Sequence, residues 1–449
     1  MRFVFKLSQK IDVRSFNFAC AMMIVFAAMV PNLGAQTLQR QPLAPQLIAP
    51  NNPFGSDAPM SDQPIDALEN FERMAIENHP TLNAAVARIL AARHEAVQAG
   101  LHPNPSLGLF IDEAGVENDF GLWGAYLQRQ HIRGNKLALG QKVKNGEANV
   151  LEVEFEKQIL KIKTDVRTAF YQSLIAREKF TLTSQLYKAQ QDAISKSSQL
   201  FEAGETPKTD LLQTELQAQK TMIVLAQIEA ARQNLWRELA AIIGQPDLEF
   251  QDITGDLDPI VDKVTFDECL SHILAHSPEI LSAQAEVERV RSTIQQELAK
   301  IIPNYQSQLT VGRDSTSNHF FTGVQLQVPL MVCNRNQGNI AAAKSRLVVA
   351  QNEVERIKLN LSKRLSVEFQ QYQSALVKTD MYTNKLLPKA QQTLQLLTQG
   401  YPEEVSFLQL LTAQQTVIEI TLEYLDTLSL VWKSRLKIEG LLLDDSLGD

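Results

Sequence analysis

Two hydrophobic rhythms alternate along this chain. Apolar residues recur at Leu151, Phe155, Ile159, Ile162, Val166, Phe170 and Leu174, and again at Leu347, Ala350, Val354, Ile357, Leu361, Leu365, Phe369, Tyr372 and Leu376. Steps of three and four, with Gln, Lys and Glu between them, predict long coiled-coil helices. Drawn as one helix, residues 135–200 would approach 100 Å at about 1.5 Å per residue. Pro388 is expected to bend or restart the second long helix.

The other rhythm has period two. Tyr305, Ser307, Leu309 and Val311 alternate with Gln306, Gln308, Thr310 and Gly312, and Val324, Leu326 and Val328 alternate with Gly323, Gln325 and Gln327. Earlier in the chain Leu107, Leu109 and Ile111, then Trp123, Ala125 and Leu127, form fainter versions. Four strands of about 10 residues, apolar on one face and Gln, Gly or Thr on the other, fit a barrel wall with lipid outside and water inside. Residues 112–120 and 313–319 are the expected external loops. Trp123, Tyr126, Phe320 and Phe321 are candidates for an aromatic girdle.

The two rhythms occur twice in the same order. An offset of about 198 residues carries Pro80 to Pro278, Ala85 to Ala283, Arg93 to Arg291 and Pro105 to Pro303. Further on, Gly134-Asn135 matches Gly338-Asn339. The turns are marked by Gly204 with a Thr206-Pro207 helix start, by Gly244 and by Gly400, which Pro402 follows.

The plan that results is mainly α with a small β part. It has a helix of repeat 1 over 63–104, a β-hairpin over 105–132, a long helical hairpin over 133–244 and a linker over 245–265. A helix of repeat 2 then spans 266–302, a second β-hairpin 303–330, a second helical hairpin 331–442 and a tail 443–449. Residues 36–62, rich in Pro, Gln and Asn, read as an extended arm.

Composition narrows the class. The 449 residues carry a net charge of -8, which disfavours nucleic acid as a partner. Arg2, Lys6, Lys10 and Arg14 precede an apolar run from Phe16 to Val30, and Leu33-Gly34-Ala35 offers a cleavage site, so 1–35 reads as a signal peptide. Cys20 lies inside the apolar run, not after it, and is no lipidation site. Cys269 and Cys333 are too few for a disulfide scaffold. No later segment is apolar enough for a membrane helix, so membrane entry requires a closed barrel.

Four strands cannot close one, and lipid does not tolerate an open sheet edge. Either the strands are soluble, or several chains share a barrel. Three chains would supply twelve strands and, with them, a ring of helices forming an α-barrel.

At this point the chain resembles a known family. His79-Pro80 and Ser277-Pro278 each open an Ala-rich helix, Val328-Pro329-Leu330 closes the fourth strand, and Gly204 and Gly400 mark helical turns. These pieces, in this order over about residues 65–442, resemble the outer-membrane factor family of TolC-like export channels. Asn334-Arg335-Asn336-Gln337-Gly338-Asn339-Ile340 is similar to the strand-to-helix junction of CzcC-type heavy-metal efflux members. The resemblance implies a homotrimer in the outer membrane with a large periplasmic portion, a periplasmic adaptor, an inner-membrane RND-type pump, and docking tips at Gly204 and Gly400. Where the family often has Arg four residues before the tip glycine, this chain has Leu200 and Leu396, which leaves the adaptor open.

Candidate sites are few. There is no catalytic constellation or phosphate loop, and neither an enzyme activity nor a cofactor is expected. Glu268, His272 and His276 share a helix face at a spacing that can chelate a transition metal; a solvated helix face is the simpler reading, and no resident metal is expected. Gln306, Gln308, Gln325 and Gln327 are expected to line the barrel lumen. Glu403 and Glu404 sit at a predicted tip, where threefold symmetry would make a ring of carboxylates favouring cations. The expected function is a passive exit duct of a tripartite efflux system, for heavy-metal cations. Its alternatives are multidrug efflux, type I protein secretion and, in another class, a periplasmic coiled-coil adaptor or scaffold.

Overall fold

The computed structural model describes residues 67–112, 121–204, 206–255, 257, 264–400 and 407–443. The signal peptide and arm, Pro402, Glu403, Glu404 and most of the first external loop lie outside the described residues. The first repeat contains α1 (Ala67–Asn78), α2 (Pro80–Ala99), β1 (Ser106–Asp112), β2 (Leu122–His131), α3 (Lys136–Glu202) and α4 (Lys208–Ile243). The second contains α5 (Phe266–His276), α6 (Pro278–Ala299), β3 (Tyr305–Asp314), β4 (Phe320–Gln327), α7 (Gln337–Met381), α8 (Leu387–Gly400) and α9 (Phe407–Glu439). With 67 residues, α3 is about 100 Å long.

Local chemistry sets the helix ends. Pro80 and Pro278 occupy the first turns of α2 and α6, where a missing N–H costs nothing. His79 caps α2 by accepting the Thr81 N–H at Nδ1 (3.3 Å). Asn135 and Asn336 precede α3 and α7, both left-handed at φ 55 and φ 60, a conformation Asn tolerates. The structural partner of Asn135 is therefore Asn336 rather than Asn339. Thr206 does not cap α4: Pro207 is the N-cap, at ψ 154, and the helix begins at Lys208. Pro388 does mark a restart of the second long helix: the regular α-helix ends at Met381 and resumes at Leu387. Tyr382–Leu386 widens into a π turn just before it, and the Leu387 N–H reaches back to the Tyr382 carbonyl. That wider turn absorbs the hydrogen bond a proline cannot make.

α3 is the spine. It packs against α2 on one side and α6 on the other, and along its length against α4 and α9. Its repeat counterpart α7 has α5, α6 and α9, with no element among the described residues in the place α6 takes beside α3. Two apolar cores flank the spine. One gathers Phe170, Leu174, Trp236, Leu239 and Ile243 around Phe71, which lies 6.3 Å from both the Phe170 and Trp236 rings. The other gathers Ile273, Leu361, Leu365, Phe369 and Tyr372, with Phe266 edge-on to Phe369 at 5.6 Å.

Toward the turn at Gly204 the packing changes character. The buried α3 positions are Thr183, Leu186, Gln190, Ala193 and Ser197, facing Thr214, Ala218 and Thr221 of α4. A seam of small and polar side chains buries less apolar surface than the Leu, Ile and Phe stripe, so it holds the hairpin end less tightly.

Candidate functional site

The four strands form one antiparallel sheet in the order β1-β2-β3-β4. The β2–β3 seam joins the two repeats, pairing Leu122–His131 with Asp314–Tyr305. Registers across the sheet sort the side chains into two faces.

One face is apolar and exposed. Its rows read Ile111, Trp123, Arg313, Phe320; then Leu109, Ala125, Val311, Thr322; then Leu107, Leu127, Leu309, Val324; then Arg129, Ser307, Leu326. Leu109 is 82% exposed and Val324 81%, yet they belong to a regular apolar band. Exposed apolar bands of this kind mark an interaction surface, here one of membrane type. The band ends in amphipathic groups. Arg313 lies over the Phe320 ring beside Trp123, and at the other end His131 stacks on Tyr305 at 4.5 Å and bonds the Ser307 hydroxyl at 2.9 Å. The girdle expected from sequence is corrected on this point. Trp123 and Phe320 share this face, but Tyr126 and Phe321 point to the other, where Tyr126 covers Gly108 and Phe321 covers Gly312 beside Phe110. His131 and Tyr305, not flagged in the sequence, take the opposite end of the band.

The other face carries Tyr126, Phe110 and Phe321 over glycines toward one end and is polar toward the other. Ser106, Gln128, Gln308 and Gln325 make one row, and Gln130, Gln306 and Gln327 the next. The structure thus brings Gln306, Gln308, Gln325 and Gln327 together and adds Gln128 and Gln130. Gln128 Nε2 donates to Gln306 Oε1 at 3.1 Å, and Gln308 Nε2 donates to the Thr310 hydroxyl at 3.2 Å. Uncharged amides offer both donors and acceptors without a fixed charge. Such a face is readily hydrated and offers no fixed charge to hold an ion tightly.

The helical turns lie at the far ends of the hairpins. Gly204 adopts φ 76 with open space around it, so backbone conformation and not crowding calls for glycine. Gly400 is the last described residue of α8.

Glu268, His272 and His276 lie along α5 without forming a chelate. The Glu268 carboxylate is engaged in a capping box, accepting the Thr265 N–H (3.0 Å) and hydroxyl (2.8 Å). Those bonds hold its carboxyl below the usual range. The two imidazoles stack at 4.6 Å, and His276 Nδ1 lies 3.0 Å from the His272 carbonyl. Cys269 is buried, and burial raises its thiol pKa. Among the described residues, no three His, Cys, Asp or Glu are grouped to hold a metal ion, and no helix is long and apolar enough to cross a membrane.

A small two-faced sheet carried on long paired helices defines a class of channel wall. The chain belongs to the outer membrane efflux protein family, whose model matches residues 134–245 and 269–428. It is similar to the cobalt-zinc-cadmium resistance protein CzcC of Cupriavidus metallidurans, 22% identical over 379 residues, 84% of this chain and 89% of that protein. Its fold is shared with the outer membrane protein VceC of Vibrio cholerae (TM-score 0.64, 17% identity, 83% of this chain and 95% of that one). It is shared also with CusC (TM-score 0.67, 15% identity, 84% and 92%) and with the Neisseria gonorrhoeae MtrE outer membrane channel (TM-score 0.64, 15% identity, 84% and 88%).

Proposed function

We propose that this chain is the passive outer-membrane exit duct of a tripartite efflux system for heavy-metal cations. It acts as a homotrimer with a twelve-stranded barrel in lipid and a helical barrel in the periplasm. The observation that carries the reading is the sheet itself: one face is a regular, exposed apolar band, the other holds a Gln field, and among the described residues neither edge strand has a second partner. Hydrocarbon cannot satisfy those edges, so sister copies must. α7, which among the described residues lacks the second neighbour its counterpart α3 has, leaves Val349 (68% exposed) and Leu359 (74%) for a sister subunit.

The substrate class rests on the likeness to CzcC and on the 334–340 junction. The Gly204 and Gly400 tips dock a periplasmic adaptor that couples the duct to an RND-type pump. Glu403 and Glu404 form a carboxylate ring at the entrance, while Gln128, Gln130, Gln306, Gln308, Gln325 and Gln327 line the lumen. Residues 1–35 direct export.

The test is a deletion strain grown across cobalt, zinc, cadmium and a panel of hydrophobic drugs. Sensitivity confined to the metals supports the reading; sensitivity to drugs alone overturns the substrate class. For the ring, Glu403→Gln with Glu404→Gln should lower cation preference in bilayer conductance, and unchanged selectivity removes it.

A further inference from the structure

Charge is distributed unevenly along the sheet. Its outermost complete row is Asp112, Leu122 and Asp314. From there inward, the strands and the segments that lead into the long helices hold no carboxylate. Asp and Glu are absent from Gly121 to Gly146, from Leu298 to Arg313 and from Ser315 to Asn352, in a chain whose net charge is -8. α3 begins at the inner end with no side-chain cap and no acidic residue in its first turn, which leaves its positive dipole end without the carboxylate such a position favours. Glu297, in the last turn of α6, is taken by Lys300 and Asn336.

The cations at this end divide into two kinds. Lys136 is engaged: its ammonium donates to Asn304 Oδ1 at 2.6 Å and to the Ile302 carbonyl, while the Arg133 N–H donates to the same Asn304 oxygen at 3.3 Å. Those bonds fasten the chain between β2 and α3 to the start of β3. Arg129 and Arg133 are exposed, and neither guanidinium has a partner among the described residues. Arg129 lies on the apolar face, in a row with Ser307 and Leu326, two residues inside the His131–Tyr305 stack. His131 and Arg133 follow it at the same parity. An apolar band that gives way to a stacked Tyr and then to free guanidiniums follows the order of a leaflet from acyl chain to phosphate. Long Arg side chains lay their methylenes on apolar surface and carry the charge outward, and Tyr favours the boundary between them.

We propose that this end of the apolar face is a binding surface for an anionic phospholipid of the periplasmic leaflet. Arg129 and Arg133 hold the headgroup phosphate, Tyr305 on His131 lies at the level of the glycerol, and the Leu127–Leu309 row takes the acyl chains. The inference rests on the membrane reading of that face and adds a ligand to it. Charge complementarity selects the occupant. Guanidiniums form charge-assisted bonds with phosphate oxygens, no carboxylate in the flanking stretches competes for them, and a zwitterionic headgroup would bring its own cation against them. Cα atoms four residues apart are at most about 14 Å from each other, so both long side chains can converge on one headgroup.

The experiment adds phosphatidylglycerol or phosphatidylcholine of matched acyl chains to the purified full chain in detergent and counts the lipids bound to the trimer by native mass spectrometry. The wild type should bind phosphatidylglycerol in preference. Arg129→Gln with Arg133→Gln should weaken that binding about thirtyfold, at about fivefold for each arginine beside an anionic surface, and leave phosphatidylcholine unchanged. Arg129→Lys with Arg133→Lys keeps both charges and should retain most of the preference. A wild-type trimer without preference overturns the site, even where a variant does not assemble. So does a Lys pair as weak as the Gln pair, displacement of the lipid by inorganic phosphate, or tighter binding of lipopolysaccharide, the lipid of the opposite leaflet. Each of these leaves the membrane reading standing. A monomer extracted without detergent overturns both.

Discussion

Gln128 and Gln306, distant in sequence, share a hydrogen bond of 3.1 Å across the seam between β2 and β3. The ten-rung β2–β3 ladder beneath that bond joins the two repeats into one sheet and sorts its side chains into an apolar and a polar set. Neighbouring positions on the two faces should therefore respond oppositely to the same charge. Leu109→Arg puts a guanidinium on the apolar band, at a cost of about 2–4 kcal/mol for a lipid-facing Arg near the midplane. It should remove most folded protein from the outer-membrane fraction. Gln308→Arg should assemble normally and shift bilayer conductance toward anions. Equal loss of assembly in both variants would contradict the assignment of faces.

Gln190 is fully buried in α3, and neither atom of its amide has a hydrogen-bond partner. A buried amide left unpaired costs about 1–3 kcal/mol. Gln190→Leu, similar in volume and free of polar atoms, should stabilise the hairpin end by that order. Amide hydrogen exchange should slow on both sides of the Gly204 turn, from Leu186 to Ser197 and from Thr214 to Thr221, with little change around Phe170. Faster exchange there would mean that the amide is satisfied in solution.

Much of this fold was legible from periodicity alone. The long helices announced themselves through the Phe155 to Leu174 and Leu347 to Leu376 stripes, and the second strand pair through its clean Gln and Leu alternation. The first pair was harder because Tyr126 and Leu127 put apolar groups on both parities, which hid Gln128 and Gln130. The girdle error was avoidable. Phe320 and Phe321 are adjacent, and adjacent strand residues cannot share a face. Two features had no sequence signal strong enough to choose them. Asn336 competed with Asn339 as the start of α7, and the π turn before Pro388 depends on tertiary packing.

His79 supplies an acid-sensitive cap. Its Nδ1 accepts the Thr81 N–H and does so only while unprotonated. Burial lowers its pKa from the ordinary 6.5, with Asp165 opposing. The folded protein thus binds this proton less readily than the unfolded chain. Stability from this group is complete above about pH 6.5 and declines as pH falls through the window down to the depressed folded value. His79→Asn keeps a capping side chain and removes the titration. Between about pH 7.5 and 5.5 the wild type should lose more thermal stability than the variant. Parallel losses would show that His79 does not titrate in that window.

Arg364 of α7 ties three parts of the second repeat together. Its guanidinium bonds Glu279 at 2.6 and 3.3 Å and the Leu442 carbonyl at 2.7 Å, with Lys157 of α3 a further 3.8 Å from Glu279. Both side chains of the pair are about 15% exposed or less, so water screens them weakly. Glu279 also sits in the first turn of α6, where the helix dipole favours a carboxylate. Glu279→Ala takes one carboxylate from the guanidinium, which keeps its other contacts, and should cost up to about 3 kcal/mol, the lower end for breaking a buried pair. Replacing both partners, Glu279→Leu with Arg364→Leu, removes the desolvated charges together and should recover most of that loss in denaturant unfolding. A double variant as unstable as the sum of its singles would show that Arg364 acts chiefly through the Leu442 carbonyl, holding the end of the chain and not the pair.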